Sequence, residues 1–152
     1  MIELCGIKSF LTLSVLTASL LVLGDAARAA DAEVLRPRVP PEQIVAAKAI
    51  TNPFQPTPEL LDKGKALYEG TGYCKGCHGA DGKGPSRLGS GEDPLARNFT
   101  DKEWQAARTD GELFWILKNG SPGTGMAAFI PLMLTEDEAW QVLLYVRSFK
   151  GR

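Results

Sequence analysis

The stretch Cys74-Lys75-Gly76-Cys77-His78 narrows the fate of this chain more than any other. Residues three apart share one face of a helical turn. Both thiols therefore project together, and the imidazole follows at the next position. Thiols so placed can each add across a vinyl group of a haem, and the adjacent histidine can then reach the iron as the proximal ligand. Gly76 keeps the surface between them thin. Three other chemistries compete. A zinc ribbon requires a second Cys or Cys/His pair, whereas the only other cysteine is Cys5 and His78 is the only histidine. A thioredoxin-like pair calls for a βαβ setting, and no strand pattern lies nearby. A Cys74–Cys77 disulfide would close a very small loop. The expectation is one haem c, attached through Cys74 and Cys77.

The chain before this motif divides in two. Lys8 and the apolar run from Phe10 to Leu23, followed by Ala27-Arg28-Ala29, read as a secretory signal over residues 1–29. The run is short for a membrane span, although an uncleaved anchor is the alternative. Such a signal directs export, so a periplasmic location is expected. Residues 30–56 form a Pro-rich extension carrying Pro37, Pro40, Pro41, Pro53 and Pro56. A short helix from Pro41 to Ile50 is expected within it, with Ile44, Val45, Ala49 and Ile50 on one side. The extension is either an arm wrapping the domain or a docking segment for a larger partner such as a membrane complex.

Residues 57–152 form the globular domain. Thr57 can cap a helix, Pro58 suits its first position and Glu59 its first turn. Leu60, Leu61, Gly64, Leu67 and Tyr68 follow at helical spacing, and Gly70-Thr71-Gly72 ends the run. After His78, a Gly-rich loop reaches Pro85, whose carbonyl is the simplest acceptor for the second ring N–H of His78; otherwise Pro85 only stiffens a turn. A short helix with Trp104 is expected over Asp101 to Arg108. The next begins at a Thr109/Glu112 capping box and stops at Asn119-Gly120. Its Trp115 is either core or lines the haem edge. A last helix begins at a Thr135/Glu138 capping box, with Ala139, Val142, Leu143, Val146 and Phe149 as an apolar stripe beside Trp140. That stripe should cross the first helix at Gly64, where a missing side chain permits close approach.

Between the last two helices runs Ser121-Pro122-Gly123-Thr124-Gly125-Met126-Ala127. Methionine normally fills gaps in cores, so one displayed on a Gly-rich loop calls for another role. A soft thioether can ligate iron on the face opposite His78 and raises the reduction potential. Met126 is the expected sixth ligand. Met133 is its rival and is expected instead as a buried core residue.

Taken together, the leading helix with Gly64 and Tyr68, Cys74-Lys75-Gly76-Cys77-His78-Gly79, Gly84-Pro85, Asn119-Gly120 with Gly123-Thr124-Gly125-Met126, and the closing Glu138-Ala139-Trp140 to Tyr145 helix resemble a class I c-type cytochrome with one haem. The likeness covers Thr57 to the C-terminus. Asn98-Phe99-Thr100-Asp101 and Thr109 to Trp115 resemble a subgroup of bacterial cytochromes of respiratory chains. The resemblance implies an all-α fold wrapped round a covalent haem, and electron transfer rather than catalysis. Family members often carry proline directly after the axial methionine; Ala127 stands there here.

Iron closed by His78 and Met126 leaves no position for a substrate, which makes a periplasmic electron carrier with redox protein partners the first expectation. An electron-entry subunit of a larger respiratory or dehydrogenase complex is the second, and an open-site haem protein that binds a small ligand the third. The formal net charge of -1 argues against nucleic acid as a partner. Lys75, Lys83, Arg87 and Lys118 are either docking charges around the haem edge or ordinary solvated surface. With 152 residues in all and about 95 in the domain, the hydrophobic core is thin, and a haem would supply much of it.

Overall fold

In the computed structural model, residues 34–85, 89–91 and 94–152 are described. The expected signal sequence lies outside them, as does Arg87. The unit Pro37–Arg152 is built from six α-helices among its described residues, with no strand: α1 (Pro41–Ala49), α2 (Pro58–Glu69), α3 (Lys75–His78), α4 (Lys102–Ala107), α5 (Asp110–Asn119) and α6 (Glu136–Ser148). No described helix is long and apolar enough to cross a membrane.

The helix ends follow local chemistry. Thr57 Oγ1 accepts the Leu60 N–H to start α2, and Asp101 accepts from Glu103 and Trp104 to start α4. Thr109 with Glu112, and Thr135 with Glu138, close full capping boxes on α5 and α6. Gly120 ends α5 at φ +82°, a left-handed backbone that a side chain disfavours.

The core forms where α2 and α6 cross. A Cβ on Gly64 would overlap the carbonyl oxygen of Gln141 and come 3.1 Å from Tyr145 Cβ, so only glycine permits this approach. The stripe on α6 is buried throughout: Ala139, Val142, Leu143, Val146 and Phe149, together with Trp140, Leu144 and Tyr145. Tyr68 of α2, fully buried, meets the rings of Tyr145 at 5.4 Å and Phe149 at 5.5 Å. Phe114 of α5 stacks on Trp140 at 4.0 Å and 4°. Large aromatic side chains of this kind contribute heavily to the core of a small domain.

α1 lies against α5. Val39 and Ala47 are buried, Gln43 Oε1 accepts the indole N–H of Trp115 at 2.7 Å, and Asn52 Nδ2 donates to the Trp140 carbonyl. The inward side of α1 is Ile44 with Ala47, one turn apart, rather than the expected set of Ile44, Val45, Ala49 and Ile50. Val45 is 78% exposed, and Ala49 and Ile50 also face outward. The reason is steric. Gly111 of α5 lies against the carbonyl oxygens of Ala47 and Ile50, so the helices meet backbone to backbone and only a small residue fits between them.

Candidate functional site

The motif turn is held from both sides. α3 begins at Cys74, whose carbonyl accepts the N–H of Cys77 at 3.2 Å and of His78 at 2.9 Å. From the α2 side, Tyr68 Oη donates to the Gly79 carbonyl at 2.7 Å, and burial pushes the Tyr68 phenol well above its ordinary range. Tyr73 adopts φ +47°, an unusual backbone for an aromatic residue. Its ring covers Gly76, where a Cβ would stand 2.5 Å from Cε1. The absent side chain at Gly76 is thus occupied by Tyr73 on at least one side.

Both thiols are free and half-buried. Burial pushes the Cys74 thiol up to about 12, so it is held neutral. Among the described residues, no three Cys, His, Asp or Glu side chains converge as a metal cluster.

His78 is 8% exposed, and burial holds its imidazole below the usual histidine value and therefore neutral. Its Nδ1 lies 3.0 Å from the Arg97 carbonyl oxygen. A carbonyl only accepts, so Nδ1 carries the proton and the free lone pair sits on Nε2. The acceptor is Arg97, not Pro85 as the sequence suggested. The loop after the motif doubles back: the Gly84 N–H donates to the His78 carbonyl at 2.8 Å and the Phe99 N–H to the Gly82 carbonyl at 2.7 Å. Gly84, at φ +42°, lies so close to Ala96 and Arg97 that a Cβ would meet Ala96 O at 2.6 Å. This brings the irregular run 94–99 alongside the motif. Phe99 then stacks on the His78 ring, 4.3 Å away at 20°. A backbone acceptor has no signature in sequence. The one aromatic residue in the run 94–99 was the signal available for Phe99.

Met126 is half-buried on a loop fixed by its own hydrogen bonds. The Ser121 N–H donates to the Met126 carbonyl at 2.9 Å, Thr124 Oγ1 to the Ser121 carbonyl at 2.8 Å, and the Met126 N–H to Thr124 Oγ1 at 3.2 Å. The loop's far end is tied to α5, because Phe129 and Ile130 both donate to the Leu117 carbonyl. Met133 is not a core residue: it is 44% exposed. Met133 and Leu134 both donate to the Phe129 carbonyl, and this turn sends Leu134 inward and leaves Leu132 and Met133 outside.

Trp115 is turned toward Gln43 of α1, so neither of its expected surroundings describes its indole nitrogen. Of the candidate docking charges, Lys118 pairs with Glu136 at 2.7 Å and Lys83 lies 3.9 Å from Asp81; Lys75 is exposed.

The donor set fits a covalent haem. It comprises two free thiols one turn apart and a neutral histidine with its Nε2 lone pair available, in a domain whose core includes Tyr68, Phe99, Phe114 and Trp140.

Known proteins share part of this chain's sequence and fold. The sequence model of the family described as Cytochrome c matches residues 61–150. The Cbb3-type cytochrome c oxidase subunit FixP of Rhizobium meliloti (strain 1021) is 33% identical over 95 residues, which are 62% of this chain and 29% of that protein. In the solved Kuenenia stuttgartiensis reducing HAO-like protein complex Kustc0457/Kustc0458, one chain superposes with a TM-score of 0.56 at 28% identity, covering 64% of this chain and 47% of that one. The solved KustC0563 c-type cytochrome is 39% identical with a TM-score of 0.49, over 57% of this chain and 96% of its own. The chain thus spans less than a third of the FixP subunit and under half of the chain from the HAO-like complex.

Proposed function

Since this chain belongs to the cytochrome c family, with that family's all-α fold and covalently bound haem c, we propose that it is a periplasmic electron-transfer protein whose haem is held by Cys74 and Cys77 and ligated by His78 and Met126. When bound, the haem supplies a one-electron couple. The chain's residues do the rest. Cys74 and Cys77 tether the group to one turn. Arg97, through its carbonyl, fixes the ring of His78 and raises its basicity. Phe99 covers the imidazole and keeps water from it. The Ser121–Met126 loop presents a soft thioether and favours the reduced state. His78 and Met126 together would leave the bound haem no open position for a substrate, so its chemistry would be transfer rather than catalysis. The observation that carries this reading is the buried, neutral His78 whose Nδ1 proton is committed to Arg97.

The test is an absorption spectrum of the exported protein in both redox states, with carbon monoxide then added. Sharp low-spin bands, a far-red iron–sulfur charge-transfer band and no response to carbon monoxide are expected. In Met126→Ala the charge-transfer band should vanish and carbon monoxide should bind, whereas Met133→Ala, on the outside of its turn, should change neither. A wild-type protein that binds carbon monoxide readily would instead point to an open iron.

A second reading keeps the chemistry and changes the partner. FixP is an oxidase subunit and the Kuenenia chain is part of a protein complex. Their likeness favours a role for this chain as the electron-entry subunit of a larger respiratory assembly, on the outer side of the membrane. Co-purification with a partner from the native membrane would support it, and a free monomer would count against it.

A further inference from the structure

The segment before the family-matched region bears directly on the loop that carries Met126. Gly111 and Trp115 stand one turn apart on the same face of α5, and α1 lies along that face. Gly111 meets the Ala47 and Ile50 carbonyls, and Trp115 donates to Gln43. Just before α1, Val39 is buried and Arg38 reaches the methionine loop, where a Cβ on Gly123 would stand 4.0 Å from Arg38 Nη1. The far end of α5 holds that loop twice, through the Leu117 carbonyl that receives Phe129 and Ile130 and through the Gly120 turn. A displacement of α5 therefore carries the loop with it. The proline common after the axial methionine is replaced by the exposed Ala127, so local backbone stiffness is lower and external support matters more.

We propose that residues 38–50 are a buttress: they fix α5, and through α5 and Arg38 they hold the Met126 loop in the position from which the thioether closes the iron. This rests on the ligation by Met126 proposed above. The residues concerned are positioning residues, because none of them need touch the haem.

The test uses the full-length, haem-loaded protein. Gly111→Ala forces a methyl group into the α1 backbone and should lift α1 off α5. Gln43→Ala removes only the acceptor of the Trp115 N–H, and Gln43→Glu restores an oxygen there. Arg38→Ala removes the contact at Gly123. Three quantities are read: the far-red charge-transfer band, the rate of carbon monoxide uptake by the reduced protein, and hydrogen-exchange protection of the Phe129 and Ile130 amides. Gln43→Ala should raise carbon monoxide uptake about fivefold, the factor that goes with one lost hydrogen bond, and Gln43→Glu should return it to wild type; Arg38→Ala should raise uptake in the same direction. Gly111→Ala should weaken the band further while retaining the haem. Unchanged band, uptake and protection in the Gln43 and Arg38 variants would overturn the proposal, even if Gly111→Ala fails to fold. A wild-type protein without the band would sink the Met126 ligation instead. The exchange data would then decide the buttress alone: lost protection upholds it and unchanged protection overturns it.

Discussion

Tyr68 illustrates how much a single side chain carries in a domain this small. It is buried among Phe99, Tyr145 and Phe149, and its hydroxyl donates to Gly79, the residue that ends the motif turn. The Gly79 carbonyl also receives the Gly82 N–H at 3.3 Å, so removing the hydroxyl does not orphan it. Tyr68→Phe should cost about 1 kcal/mol, the worth of one internal hydrogen bond. Guanidinium unfolding of the haem-loaded protein measures it, and the His78 ligation spectrum should be unchanged. At this scale the sequence is an uneven guide. Cys74, Cys77 and His78 announce themselves by spacing. The Arg97 carbonyl does not, since every residue has one and only the path of the chain decides which arrives. Met133 misleads for a related reason: its apolar character suggests burial, yet the turn at Phe129 selects Leu134 for the inside.

Among the elements, the capped helices were the most legible. Thr57, Thr109 and Thr135 each mark a helix start with a side chain whose partner is a few residues away, so local sequence suffices. The Gly64 crossing was legible too, because a glycine in an otherwise regular apolar spacing implies a close neighbour. The face of α1 was not. Its buried side is chosen by Gly111, about sixty residues distant, and not by its own bulkiest residues. The joint between α4, α5 and α6 was equally invisible. Arg147 donates to Asp110 Oδ1, to the Gln105 carbonyl and side chain, and to the Arg108 carbonyl, all within 2.6–2.8 Å. Gln105 Nε2 in turn donates to the carbonyls of Phe99 and Val146. A lysine ammonium cannot reproduce a planar fork with this many simultaneous partners. Arg147→Lys should therefore lose about 2–3 kcal/mol, as charged donors leave carbonyls unsatisfied, measured by chemical denaturation. Because the Phe99 carbonyl hangs on the same joint, the variant should also loosen the stack on His78, visible as line broadening of the His78 ring protons in NMR spectra.

For the molecule as a whole, charge says more about the encounter than about the fold. The net charge is -1, and residues 1–29 contribute Glu3 and Asp25 against Lys8 and Arg28, so removing them leaves the balance unchanged. Two of the candidate docking cations have acidic neighbours, Lys118 with Glu136 and Lys83 with Asp81. Long-range steering should be weak, and electron-transfer rates with a protein acceptor should change little as ionic strength rises from about 10 to about 300 mM, a range over which screening would suppress a steered reaction steeply. Stopped-flow mixing measures this, and a steep decline would show that a local patch outweighs the balance. The all-α architecture and its order of helices were readable from caps and periodicity. How the pieces close round the motif was not, because the closure runs through backbone groups of irregular segments.

One such group has a consequence for how the protein can change over generations. The partner of His78 is a main-chain oxygen, present whatever side chain occupies position 97. Point mutation there leaves the bond in place, apart from residues that alter the backbone itself. What the histidine is tuned by is the arc length of the excursion between Gly84 and Arg97. Relatives of this chain should therefore vary freely at position 97, while a one-residue insertion or deletion between Gly84 and Arg97 would hand the imidazole a different carbonyl and a different pull on its proton.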